Sequence, residues 1–234
     1  MVGARAVRPG PVSLAALVLL AVALSGCAAS DVPPTPPRPT VIVVTASGPY
    51  FTGFDEADDW LVGDSERSQG QVVEGSYRLR IKEPEYLAWT HQTRAFGDGV
   101  YEVDTTLLSG AEASAFGLLL LGSSDLRSFF YCMITGDGRY DVGYCENGCR
   151  KQESLTDGFT LSYAILTGNQ TNRLRVELVD GVLTFLVNGT PVSQVTGLDY
   201  AEGLVGFIGE SAQYGGFEAA FDNLQVVEEE MGSG

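Results

Sequence analysis

Asp180-Gly181 and Asn188-Gly189 separate short apolar runs, and Asp137-Gly138 does the same between Phe129–Ile134 and Arg139–Cys145. Such dipeptides accept positive φ and favour two-residue hairpins, so the chain around them is expected to fold as antiparallel strands. The runs between the turns agree. Tyr77, Leu79 and Ile81 alternate with Arg78, Arg80 and Lys82, and Tyr101 and Val103 alternate with Glu102 and Asp104. Leu174, Val176 and Leu178 alternate with Arg173, Arg175 and Glu177. This is the period of a half-buried strand. Phe116–Leu121, Phe159–Leu166, Leu204–Ile208 and Phe217–Val227 are apolar enough for strands covered on both faces.

About a dozen strands are expected, with turns at the spacing of a sandwich. No sustained helical period follows residue 26, and no repeat of about 40–50 residues suggests a propeller. The fold class is all-β: a two-sheet antiparallel jelly-roll sandwich, since many antiparallel strands must each bury one face.

The N-terminus has a different character. Arg5 and Arg8 precede an apolar stretch, Val12–Ala23, that ends in Leu24-Ser25-Gly26-Cys27. A charged start and a short apolar run have the layout of an export signal, too short for a stop-transfer helix. The last four residues resemble the bacterial lipobox, which implies that Cys27 is acylated and becomes the mature N-terminus. Each acyl CH2 buried in a bilayer contributes about 0.8 kcal/mol, so two or three chains hold a domain at a membrane. Prolines 33, 34, 36, 37 and 39 then make an extended spacer. The expected organisation is a signal over 1–26, an acylated linker over 27–46, a β-sandwich over 47–228 and an acidic tail over 229–234. The expected location is the bacterial cell envelope, lipid-anchored and outside the cytoplasm.

Charge narrows the partners. Without Arg5 and Arg8 the 14 basic residues fall to 12, against 30 acidic ones, a net of about −18. Nucleic-acid binding needs a basic footprint, so that class is excluded. Direct adhesion of the domain to anionic lipid is disfavoured for the same reason.

An ordered set of segments carries a family resemblance. Phe54-Asp55, Asp59-Trp60, Glu74–Trp89, Val100–Asp104, the Asp137-Gly138 hairpin, Asn172–Val176, Val187-Asn188-Gly189 and Ala220–Val226 resemble bacterial lipoproteins with laminin-G/concanavalin-A-like domains. They are also similar to the 3-keto-disaccharide hydrolase-type domain. The resemblance implies a jelly roll, and fold does not decide activity.

Glycoside hydrolases on this sandwich carry a Glu-x-Asp-x-x-Glu motif on one strand. Here Glu102-Val103-Asp104 supplies two acids, but Thr105, Thr106 and Leu107 follow, and the acid that would protonate the leaving group is missing. Glu102 and Asp104 are the catalytic candidates; the plainer reading is a polar strand face. His91 is the only histidine and has no nucleophile elbow near it. Binding has more material: Tyr131, Arg139, Tyr140 and Tyr144 are the candidate carbohydrate face, in a segment with aromatics at both strand parities. Trp60 and Trp89 read as core residues that are also of the type that stacks on sugars. Asp55 and Asp222 are candidate ligands of a structural Ca2+, the alternative being that Asp222 and Asn223 cap a turn. Cys145 and Cys149 bracket a Gly-containing turn and are expected to form a disulfide, leaving Cys132 as a buried thiol.

Three functions are compatible with this sequence. The first is a non-catalytic, lectin-like lipoprotein binding carbohydrate or an envelope partner. The others are a 3-keto-glycoside or glycan hydrolase and a structural envelope protein.

Overall fold

The computed structural model describes residues 49–55 and 60–228, which lie in one compact unit. The signal, Cys27, the Pro-rich linker and the tail from 229 lie outside the described residues. Sixteen strands and no helix are found among the described residues. In chain order they are β1 (Tyr50–Thr52), β2 (Gly63–Asp64), β3 (Ser68–Val73), β4 (Ser76–Ile81), β5 (Leu87–Phe96) and β6 (Gly99–Gly110). Next come β7 (Ala115–Gly122), β8 (Phe129–Thr135), β9 (Arg139–Glu146), β10 (Lys151–Ser154) and β11 (Thr160–Leu161). The chain closes with β12 (Asn172–Val179), β13 (Val182–Val187), β14 (Thr190–Val195), β15 (Gly203–Glu210) and β16 (Phe217–Glu228).

Two antiparallel sheets result. The nine-stranded sheet runs β14-β13-β12-β6-β16-β4-β3-β2, with β1 also on β16. The seven-stranded sheet runs β10-β9-β8-β7-β15-β5, with β11 on β9. The expected sandwich is present. Two of the three predicted two-residue turns have positive φ at each central residue, 49° and 76° at Asp180-Gly181 and 51° and 79° at Asn188-Gly189. This matches the twist of the strands they join. At Asp137-Gly138 only Gly138 has positive φ, at 91°, and its amide donates to the Thr135 carbonyl at 3.1 Å, so that loop is longer than expected.

The run expected as a strand over Phe159–Leu166 is mostly irregular; only Thr160–Leu161 pairs, with β9. Asn172 accounts for its end at Leu166. Its side chain accepts from the Leu166 amide at 2.8 Å and donates to the Leu166 carbonyl at 2.9 Å, so the backbone there is satisfied without a ladder.

Inward residues of the two sheets meet in one core. At its centre Phe207 of β15 lies between Trp60, 4.5 Å away at 13°, and Phe221 of β16, 4.1 Å away at 6°. Phe54 and Tyr77 close the cluster around it. Trp60 is therefore a core residue. Aromatic pairs of this kind contribute about 0.5–1.5 kcal/mol each beyond their burial. Phe207→Ala is expected to cost about 3–5 kcal/mol, read as a lowered urea midpoint at unchanged slope. A loss below about 1 kcal/mol would show that Phe207 is not the centre of the core.

Candidate functional site

Glu102 and Asp104 project from the solvent side of β6, and both are consumed by strand pairing. Arg175 stands opposite Glu102 and Arg173 opposite Asp104 in the β12 register. Arg175 bonds Glu102 at 3.1 Å and Glu177 at 2.7 Å. Arg173 grips Asp104 with two bonds, at 2.9 and 3.0 Å, and Asn223 donates a third at 3.0 Å. Burial alone would raise the Asp104 pKa, but the bonds from Arg173 and Asn223 and the Arg173 charge outweigh it and lower it. Of the three residues that follow, Leu107 is in the core, Thr105 is buried with its hydroxyl on the Ala220 carbonyl, and Thr106 meets Thr171. This row is a cross-strand ionic ladder holding β6 to β12.

Asp55 is exposed, and Asp222 accepts from the Asn223 amide at 2.6 Å, within a register break of β16. No group of three His, Cys, Asp or Glu side chains suited to a metal occurs among the described residues. His91 turns its Nδ1 to the Gln92 carbonyl, 2.9 Å away.

The four residues expected to share a ligand face, Tyr131, Arg139, Tyr140 and Tyr144, do not share one. Alternation decides this. Tyr140 and Tyr144 point between the sheets, against Phe185 and Phe130 respectively. Tyr131 points to the opposite, outer side of the seven-stranded sheet, and Arg139 sits at the strand end beside Asp137. Aromatics at both parities mark a sheet covered on both sides.

The outer side is the more informative one. Phe129, Tyr131, Met133, Leu119, Ile208 and Cys145 form a second apolar cluster there, with Trp89 5.3 Å from Phe129. Tyr131 lies across Gly143, where a Cβ would stand 2.1 Å from the phenol oxygen. Its hydroxyl donates to Asp141 at 2.9 Å and accepts from Gln152 at 3.2 Å. The other Asp141 oxygen accepts from Ser154 at 2.6 Å and Thr156 at 2.7 Å. Asp141 is thus buried with three donors on its two oxygens, and burial raises the Tyr131 pKa.

This network reaches Glu210 at the end of β15. Burial raises the Glu210 pKa; a hydrogen bond from Gln152 opposes the rise, and the charge of Asp141 adds to it. Glu210 lines a recess of about 270 Å³ together with Glu85, Phe159, Ser211 and Gln213. None of Asp141, Gln152, Ser154 or Glu210 stood out in the sequence. Two signals were there: Asp141 is the one acid within Tyr140–Cys145, and Glu210 ends the uncharged run 203–209.

Cys145 and Cys149 are disulfide-bonded, with Cα atoms 4.5 Å apart. Cys132 is free and buried, and its thiol pKa is pushed up by burial and then by the charge of Asp141.

Opposite pH dependences follow for two carboxylates. The folded pKa of Glu210 lies above its unfolded value, so its contribution to stability is full below the unfolded pKa and is lost as pH rises through the folded one. Glu210→Gln is therefore expected to gain on the wild type between pH 4 and pH 7. The folded pKa of Asp104 lies below its unfolded value, so its contribution holds at neutral pH and is lost as pH falls. Asp104→Asn is expected to be destabilised at pH 7 and to converge on the wild type in acid. Urea midpoints across pH check both; parallel curves for either variant would contradict the assignment.

No protein-family model matches the sequence, and no curated protein matches it. Solved structures do. A carbohydrate-binding module, CBM66, from Bacillus subtilis superposes with a TM-score of 0.58 at 14% identity, covering 72% of this chain and 95% of its own. A beta-glucanase from Bacillus licheniformis gives 0.60 at 12% identity, over 79% of this chain and all of its own. The laminarinase catalytic domain from Thermotoga maritima gives 0.57 at 9%, over 80% of this chain and all of its own. At such identities the likeness is one of fold: the described residues form a concanavalin A-like jelly roll.

Proposed function

We propose that the chain is a lipid-anchored, extracytoplasmic protein whose jelly roll binds carbohydrate at the outer side of the seven-stranded sheet. One observation carries the reading. A polar network embedded in an apolar face ends at Glu210, and Glu210 lines a recess together with Phe159. An aromatic body next to a hydrogen-bonding carboxyl suits a sugar ring, which has an apolar C–H face and hydroxyls at its edge. The jelly-roll neighbours include a carbohydrate-binding module, which supports the ligand class.

Asp141 argues for binding over hydrolysis. Retaining hydrolysis needs two working carboxyl groups about 5–5.5 Å apart, and inverting hydrolysis needs two at wider spacing. Asp141 is the second acid of this network, but its oxygens already accept from Tyr131, Ser154 and Thr156. Within this network Glu210 alone is left for a ligand; Glu85, which lines the same recess, is exposed and outside the network. The hydrolase reading keeps a specific footing because the charge of Asp141 acts on Glu210; release of reducing sugar, lost in Glu210→Gln, would establish it.

The anchor rests on Leu24–Cys27 and the Pro-rich spacer, which would hold the domain clear of the membrane. Cys27→Ser is expected to abolish palmitate labelling and to release the protein from the membrane fraction; persistent label would sink the anchor. For binding, a glycan array followed by calorimetry is expected to find a saccharide whose affinity falls about tenfold or more in Phe159→Ala and in Glu210→Gln. Binding that neither substitution disturbs would move the site elsewhere on the domain.

A further inference from the structure

Between the β7–β8 loop and the β9–β10 hairpin lies a groove of about 760 Å³ lined by Arg127, Asn147, Gly148, Arg150 and Lys151. Three cations meeting in one groove are unexpected in a chain with 14 basic and 30 acidic residues. The hairpin backbone is unusual as well. Asn147, Gly148 and Cys149 are successive left-handed residues, with φ of 55°, 66° and 57°, a conformation that side-chain-bearing residues rarely adopt in series.

That turn is fixed at three points. The Gly148 amide donates to the Arg127 carbonyl at 2.9 Å, Arg127 donates through Nη2 to the Asn147 side chain at 3.0 Å, and Cys149 is bonded to Cys145. The cations differ in how far they are engaged. Lys151 is committed to Glu146 at 3.0 Å and Glu153 at 3.8 Å. Arg127 spends one donor on Asn147 and makes no ion pair among the described residues. Arg150 is exposed and also makes none there. Two guanidinium groups with unused donors therefore flank a rigid turn, and a guanidinium fork matches the geometry of an oxyanion.

We propose that Arg127 and Arg150 form an anion subsite for a single carboxylate or sulfate group on an acidic saccharide. Glu146 and Glu153 pair with the neighbouring Lys151, and Asp125 accepts from the Arg127 amide. These nearby acids disfavour a densely charged polyanion, so the ligand is a sparsely charged glycan with one anionic substituent at this point. The saccharide part rests on the carbohydrate reading above; the anion subsite stands apart from it.

The experiment keeps the two distinct. The isotope-labelled full chain is titrated with inorganic sulfate, following the Gly148 and Arg150 amide resonances, against chloride at equal ionic strength. Saturable shifts at these amides that vanish in Arg150→Ala support the subsite whether or not any glycan binds. Absence of such shifts overturns it. In the second arm, calorimetry compares a neutral disaccharide with its uronate and sulfate derivatives. An anionic derivative is expected to bind about tenfold tighter than its parent, the uronate and sulfate arms identifying which group is taken. Arg150→Ala should remove that advantage and Arg150→Lys should keep part of it. Equal affinity for parent and derivatives, or an advantage that Arg150→Ala leaves intact, overturns the acidic-saccharide part of the proposal, while the sulfate titration decides the subsite itself.

Discussion

Every residue of β8 is buried, and that one strand sets the character of the molecule. Phe130, Cys132 and Ile134 face the nine-stranded sheet, while Phe129, Tyr131 and Met133 face the other way into a cluster of their own. A strand covered on both sides takes its polar neighbours out of water with it. Asp141, opposite Met133 on β9, must then find partners within the protein. It finds them in Tyr131, Ser154 and Thr156, and so ties β10 and the loop after it onto the sheet.

The same burial separates the carboxylates by role. Asp104 and Glu102 have arginines directly across the strand, and their electrostatics are those of a ladder whose purpose is register. Asp141 is spent on internal donors. Glu210, at the rim, keeps an opening to solvent while burial and the charge of Asp141 favour its proton. Its carboxyl oxygens are hydrogen-bond partners of the kind a sugar hydroxyl needs.

Geometry also sets the two proposed contacts apart. The stacked Trp60, Phe207 and Phe221 give the sandwich a stiff centre, so loops at the sheet ends can vary without disturbing it. The Phe159 recess sits at one such end. The disulfide-fixed turn at Asn147–Cys149 occupies another, and it gathers arginines on a surface that is otherwise strongly acidic.

The sequence by itself determined the class of fold, most of the strands and two of the three expected tight hairpins. Alternation and positive-φ dipeptides are local properties and need no tertiary context. It also marked Cys145 and Cys149 as neighbours, because four residues around a Gly-containing turn leave few alternatives. Only the tertiary structure decided what lies on which face. Tyr131 parted from Tyr140 and Tyr144 because adjacent parities face opposite sides of a sheet, and composition cannot say which side is open. Only the fold could bring Asp141, Gln152 and Glu210 together, since they come from β9, β10 and β15 and meet across the seven-stranded sheet. Side-chain networks of this kind are long-range in sequence, and no local pattern encodes which distant strand will deliver the partner.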